Sequence, residues 1–503
     1  MLVAFTCRAE AACEKVVLTG ADLSAWRQAG DWSIVGDAFS HPKNENLLSV
    51  REGTGVIVNG RRAKSPPLVS KQEFGDARVH VEFMIPKGSN SGVYIQGQYE
   101  IQILDSWTEP NVSYPGGECG GIYQRWDESR AVKGYEGYSP IVNACRPPGQ
   151  WQDFDVVFRA ARFDANGKKI ANACFVKVLH NGTLIHENVE VSGPTRGSMY
   201  TEDRKTGLIL LQGDHGPVAF RNIWVSPIEP EKMGFTNPFF AMDTGTIDEA
   251  HKTAQSQVKV LAELGYAGIG YWERDPNKGA EGLAEMLNEL DKQGLKTFGE
   301  YFTIKLEEPN EKYLPLITES IRLLSKRDTV IWLAITSDAQ QKSSAVGDER
   351  AVAIITDIAD AAHKYNVGVV LYPHAGFWLE RVDDAVRLAE KTNRRNVGII
   401  FNLYHQLKTD GSTNMEETIR QAMPYLSLVT INGTSEAGSI ETLDRGTFDV
   451  YGFLKLLKQE GFKGPIGLQG YGIRGDVQEN LSRSIGAWKR FSERLAMEEA
   501  QKF

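Results

Sequence analysis

After Pro238 the hydrophobic pattern of the chain changes period: eight times, a short apolar run is followed by an amphipathic stretch of helical spacing. The apolar runs are Phe239 to Asp243, Ala267 to Trp272, Lys296 to Phe302, Val330 to Thr336, Val367 to Tyr372, Val397 to Asn402, Leu428 to Asn432 and Pro465 to Gln469. Helical stretches such as Asp248 to Leu264, Asp348 to Tyr365 and Val477 to Arg494 follow them. Eight strand–helix units in series predict a closed (β/α)8 barrel, whose functional face lies at the C-terminal ends of the strands.

The preceding half is written differently. From Lys15 to Ile228 short alternating runs are punctuated by glycine-rich turns: Gly75 to Met84, Gly92 to Asp105, Trp151 to Arg159, Phe175 to His180, Gly207 to Gln212 and Val218 to Val225. Such spacing predicts an all-β sandwich. Asn181-Gly182 between two alternating runs predicts a two-residue hairpin turn. Pro227, Pro230 and Pro238 mark a linker. The chain, at 503 residues too long for one core, is therefore expected to be multidomain: residues 15–228 a sandwich, 229–237 a Pro-rich linker and 238–503 a TIM barrel.

Within the sandwich, residues 93–103 sort polar from apolar by parity. Tyr94, Gln96, Glu100 and Gln102 share one parity, and Val93, Ile95, Ile101 and Ile103 the other. Side chains alternate faces along a strand, so this sorting survives a hairpin only if the loop holds an odd number of residues, such as Gly97-Gln98-Tyr99. The product is a sheet with one apolar face and one face carrying a carboxylate, carboxamides and a phenol, as a carbohydrate-handling surface does.

Lys plus Arg number 56 against 65 Asp plus Glu, a net charge of -9, which disfavours nucleic acid or an anionic membrane as the main partner. No run approaches the ~18–20 continuous apolar residues of a membrane span. Residues 1–14 place a short apolar run before Ala9-Glu10-Ala11, which reads as the tail of a secretory signal and makes a periplasmic or secreted location the expectation. The five cysteines contain no CxxC pair, and Cys119 with Cys145 is the pair that could form a bridge.

The first half resembles the 3-keto-disaccharide hydrolase domain family, which has a concanavalin-like (jelly-roll) sandwich. The resemblance rests on Gly20-Ala21-Asp22-Leu23-Ser24-Ala25-Trp26, Asn90-Ser91-Gly92-Val93-Tyr94, Tyr99 to Asp105, Cys119-Gly120-Gly121-Ile122-Tyr123, Pro148-Gly149-Gln150-Trp151, Leu211 to Gly216 and Phe220-Arg221-Asn222-Ile223, in order. One departure is Gln96, where many members carry arginine. The resemblance implies cleavage of glycosides already oxidised to a ketone at sugar carbon 3. That ketone acidifies the C2 hydrogen, so a modest base starts an elimination that expels the C1 substituent, after which water adds back. Such chemistry needs a base, donors for the enolate oxygen and a proton source for the leaving group. Glu100 and His215 are the candidate base and acid, in either order, with Asn90, Gln96, Gln102, Tyr123, Gln212 and Arg221 as donors or sugar contacts. Arg221 has a competing role, locking two strands by pairing with a carboxylate, and Asp105 reads as a strand-end cap.

The second half resembles the xylose isomerase-like sugar isomerase and epimerase barrels through its eight units and the motifs Leu371-Tyr372-Pro373-His374, Phe401-Asn402-Leu403-Tyr404-His405 and Ile466 to Tyr471. In that family the ends of strands five to eight supply Glu, Asp, His and Glu to a divalent metal. Here Tyr372, Asn402, Asn432 and Gln469 stand at the matching places. A hard cation draws its affinity from anionic oxygens, so no bound metal, no cofactor and no isomerase activity of that type are expected. A relocated site using His374, His405 and Glu300 or Asp338 is the competing reading. The expected mouth is Tyr372, His374, Asn402, His405, Asn432, Gln469 and Glu300, suited to sugar hydroxyls or serving only as scaffold. A glycoside or oligosaccharide is the expected partner, and the sequence leaves a homo-oligomer open. Two other functions compete: a carbohydrate-binding protein of two modules without turnover, and a barrel epimerase with a lectin-like sandwich attached.

Overall fold

The computed structural model describes residues 15–27, 30–60, 63–108, 113–273, 278–436 and 438–502. The expected signal remnant at 1–14 lies outside them. The chain divides into two compact units, Met1–Gly234 with Arg494–Phe503, and Phe235–Glu493.

The first unit is a β-sandwich. Its larger sheet runs, in spatial order, Thr183–Val191, Ala173–His180, Gln152–Arg159, Ala77–Met84, Ala219–Pro227, Leu48–Val58 and Ser33–Ser40, with Val16–Val17 paired to Ala219–Pro227. The smaller sheet orders Leu68–Phe74, Gly207–Leu211, Asn90–Ile95 and Tyr99–Leu104. Val79, Val81 and Phe83 of the larger sheet and Val93, Ile95, Ile101, Ile103 and Ile209 of the smaller one, each no more than 1% exposed, belong to one core cluster. Burying each such side chain stabilises by about 1.5–3 kcal/mol, which fixes which face of each strand points inward.

The hairpin keeps the parity predicted for it, with a loop one residue earlier than expected. Ile95 pairs with Tyr99 and Tyr94 with Glu100, leaving Gln96-Gly97-Gln98 as the odd-numbered loop. The expected two-residue turn at Asn181-Gly182 joins His180 to Thr183, with both central residues at positive φ. Three of the longer strands, Ser33–Ser40, Leu48–Val58 and Leu68–Phe74, escape the sequence reading. Polar, exposed stretches interrupt two of them, Arg51 to Thr54 and Lys71 to Glu73, so alternation is lost along their middles.

The second unit is the predicted closed barrel of eight parallel strands: Phe239–Met242, Gly268–Tyr271, Lys296–Lys305, Val330–Thr336, Gly368–Leu371, Val397–Asn402, Leu426–Ile431 and Ile466–Leu468. Its interior is packed with large rings. Phe240 stacks on Phe298 at 4.5 Å, and the Trp332 indole N–H donates to the Phe298 carbonyl at 3.0 Å.

The expected boundaries at 229–237 and 238–503 differ from these units. Pro230–Met233 forms a helical turn, with proline where its missing N–H costs nothing. In the first unit, Ala496, Met497 and Ala500 from the end of helix Val477–Ala500 cluster with Val157, Cys174, Val176 and Ile228. Among the described residues no helix is long and apolar enough to cross a membrane.

Candidate active site

On the polar face of the smaller sheet a cavity of about 290 Å³ is lined by Asn90, Tyr94, Glu100, Gln102, Tyr123, Arg196, Gly197, Gln212 and His215. Strand pairing builds its floor. Tyr94 lies opposite Glu100 and Gly92 opposite Gln102, so these side chains share one face at cross-strand distance. The Tyr94 hydroxyl donates to Glu100 Oε2 at 2.7 Å, and the Glu100 amide donates to Thr195 Oγ1 at 3.0 Å. Gly92 makes room for the carboxyl, since a Cβ there would fall 2.2 Å from Glu100 Oε1. Gly197, at φ +84, does the same for the Tyr94 hydroxyl.

Glu100 is 3% exposed. Burial, reinforced by the Asp214 charge and opposed by the Tyr94 hydrogen bond, raises its pKa to about 8. It is therefore mostly protonated at neutral pH. Burial followed by the Glu100 charge raises the Tyr94 phenol, and burial followed by Tyr114, whose hydroxyl lies 3.0 Å away, raises Tyr123. Both phenols thus remain protonated donors. The carboxamide oxygens Gln102 Oε1 and Gln212 Oε1 are buried without a protein partner.

At the rim, His215 Nδ1 lies 2.6 Å from Asp214 Oδ1. With the carboxylate accepting the Nδ1–H, the neutral ring keeps its lone pair on Nε2. Arg196, the only arginine or lysine among the described lining residues, stacks its guanidinium 3.9 Å over Trp126.

The structure thus brings together Asn90, Glu100, Gln102, Tyr123, Gln212 and His215, and corrects two expected members. Gln96, at φ +56 in the hairpin loop, leaves the strand alternation, and its Nε2 donates to the carbonyls of Phe74 at 3.0 Å and Lys205 at 3.2 Å. Arg221 belongs to the larger sheet. Its neighbour Phe220 enters the core, so parity turns Arg221 outward, where Nε donates to Glu82 Oε2 at 2.5 Å on the adjacent strand. The strand-locking role is therefore the one it fills. Asp105 caps the Gly88 amide, as expected of a strand end. Cys119 and Cys145 are free buried thiols. Arg196 comes from the Pro194–Gly197 loop, where no periodicity marks it in sequence, whereas Tyr94 carried the parity signal.

A second cavity, about 380 Å³, opens at the C-terminal ends of the barrel strands. Of the expected mouth, Tyr372, His374, His405 and Gln469 line it, with Asp243 and Tyr301 not foreseen. Asn402 is instead an N-cap: its Oδ1 accepts the His405 amide at 3.0 Å, and its Nδ2 donates to the Tyr372 hydroxyl at 2.7 Å. Asn432 Nδ2 donates to the carbonyls of Gly433 and Ser439 and is fully buried in its own loop. Glu300 is buried beside Ser320 of the helix layer, away from the mouth, and burial raises its pKa to about 7. Asp338 pairs with Lys305. Among the described residues no group of three His, Cys, Asp or Glu side chains could hold a metal, so the competing relocated site, which joined Glu300 or Asp338 to the two histidines, is not assembled.

Residues 14–226 match the family model of the 3-keto-alpha-glucoside-1,2-lyase-like domain, and residues 258–490 that of the xylose isomerase-like TIM barrel. The two matches fall one in each half of the chain. Among solved structures, a glycosyl hydrolase candidate from Parabacteroides distasonis is 27% identical over 42% of this chain and 83% of its own, with a TM-score of 0.31. The 3-keto-D-glucoside 4-epimerase of E. coli is 15% identical over 50% of this chain and 99% of its own, at 0.41. A D-allulose 3-epimerase from Methylomonas sp. is 15% identical over 52% and 100%, at 0.42. Comparison with curated proteins gave no match.

Proposed function

We propose that the sandwich cleaves 3-keto glycosides by elimination and rehydration. The observation that carries this reading is the buried, protonated Glu100 on the floor of a cavity whose rim holds the Asp214-oriented His215. His215 Nε2 takes the C2 proton made acidic by the C3 ketone, and the electron pair moves into the C2–C3 enolate. As the ketone re-forms, a C1–C2 double bond forms and the C1–oxygen bond breaks, with Glu100 donating its proton to the departing oxygen. Water then adds its hydroxyl to C1 and its proton to C2. Arg196, Tyr123 and the amides of Gln102 and Gln212 lie on the same wall as donors for the enolate oxygen and the sugar hydroxyls. A glycoside is thus the partner this site suits.

The four barrel positions that match the metal ligands of the xylose isomerase-like family do not fit a hard divalent cation in their chemistry. Tyr372, Asn402, Asn432 and Gln469 offer no anionic oxygen, and Asn402 Oδ1 is already taken by the His405 amide. No metal step is assigned to this barrel. Incubating the full chain with a 3-keto glucoside and with its unoxidised parent tests the reading. Release of the aglycone from the keto substrate alone is expected. Equal turnover of both substrates, or full rates in both Glu100→Gln and His215→Ala, overturns it.

A further inference from the structure

The barrel mouth holds an unused recognition site. Eight of its lining residues are Phe, Trp or Tyr, and no arginine or lysine is among the described ones. Its acid, Asp243, already accepts the Trp272 amide at 2.9 Å. Two side chains are more than nine-tenths buried and carry a polar atom without a partner. His405, 4% exposed, receives the Ala375 amide at Nδ1 at 3.4 Å, which leaves the proton on Nε2, and that Nε2 meets no acceptor. Gln469, 6% exposed, presents Oε1 to no donor. Burial, followed by the neighbouring His374 ring 3.9 Å away, keeps His405 neutral. One unpaired donor and one unpaired acceptor thus belong to residues that line a chamber walled by rings.

From this geometry we infer that the barrel mouth binds an uncharged phenolic ring. An anion would be stripped of water with no cation to meet it. A hexose bears a hydroxyl on nearly every carbon, far more than the unpaired atoms here can satisfy, and each unpaired one would weaken the complex. A phenol has one hydroxyl, able to donate to Gln469 Oε1 while accepting from His405 Nε2, and a flat face that the rings of Trp272 and Tyr471 at the rim can cover. The volume, about 380 Å³, is ample for one ring with a substituent. Binding here is independent of the cleavage proposed for the sandwich, and its readout needs no turnover, so either can fail alone.

Calorimetric titration of the full chain with p-cresol, benzoate and D-glucose tests the inference. Saturable binding of p-cresol at one site per chain is expected, with benzoate and D-glucose at least tenfold weaker. Trp272→Ala and Tyr471→Ala, at rim positions 38% and 63% exposed and so safe for folding, should each weaken p-cresol about two- to tenfold. Gln469→Leu should weaken it about tenfold. No p-cresol binding at millimolar concentration, benzoate or D-glucose binding as tightly, or p-cresol binding untouched by all three substitutions overturns the inference.

Discussion

At the small sheet of the sandwich the cavity is walled by a carboxyl, carboxamides, phenols and a guanidinium; at the barrel mouth a cavity of similar size is walled by rings and two histidines. Burial acts on both and has opposite uses. In the sandwich it raises Glu100 to about 8, which leaves an exchangeable proton near neutral pH. In the barrel it pushes His405 well below its ordinary range, which removes a charge and leaves a neutral hydrogen-bond donor. Desolvation disfavours whichever form is charged, so the same force makes a proton donor of an acid and an inert contact of a base.

The contrast breaks first at Glu100. Glu100→Gln should lower kcat on a 3-keto glycoside by about 10²–10⁴-fold, measured by aglycone release, while p-cresol binding to the barrel persists. A loss under tenfold would remove the sandwich's claim to the chemistry.

The pH dependence sharpens the contrast next. If Glu100 is the acid, kcat/KM falls about tenfold per pH unit above about 8, and a profile that instead rises towards about 8 and levels off above it would make Glu100 the base. Stability follows the same group. Its folded pKa lies above its ordinary 4.5, so the folded state binds more protons than the unfolded one between 4.5 and about 8. Stability from this group is full below 4.5 and is lost as pH rises towards 8. Thermal melts of wild type against Glu100→Gln should show their Tm difference moving in the variant's favour across that interval.

A smaller effect is expected at Arg221, which the structure places outside both cavities. Arg221→Ala loses the Glu82 pair and the stacking 4.0 Å over Trp151, both partly exposed. About 0.5–1 kcal/mol of stability should go, read by denaturant unfolding, with turnover within about twofold of wild type. A loss of turnover as large as that of Glu100→Gln would return Arg221 to the site. The smallest effect is expected from chelation. Dialysis against EDTA should change neither keto-glycoside cleavage nor p-cresol affinity, whereas a stoichiometric manganese, zinc or magnesium content lost together with either function would show the barrel's neutral donors to be metal ligands.

Much of the architecture was legible because periodicity is a local record of burial. The eight barrel strands could be read as apolar runs, and the Val93 to Ile103 parity identified the face on which Tyr94, Glu100 and Gln102 converge. Where that record is overwritten the reading fails. Polar middles hid Leu48–Val58 and Leu68–Phe74, and a positive φ at Gln96 removed from the face a residue whose parity put it there. Parity also says nothing about which sheet a strand joins, which is why Arg221 could be given to the wrong surface.

By itself, then, the sequence determined the two fold classes, the parity of the hairpin and the chemical types on the polar face, because strand and helix periods follow from which side chains must leave water. Tertiary structure alone decided that Arg196 joins Glu100, that Asn402 caps a helix rather than facing the mouth, and that Glu100 and His405 are buried deeply enough to change their protonation. Those outcomes depend on which distant segments close over a residue, since desolvation and hydrogen-bond partnership are properties of the assembled surroundings and are not encoded at any single position.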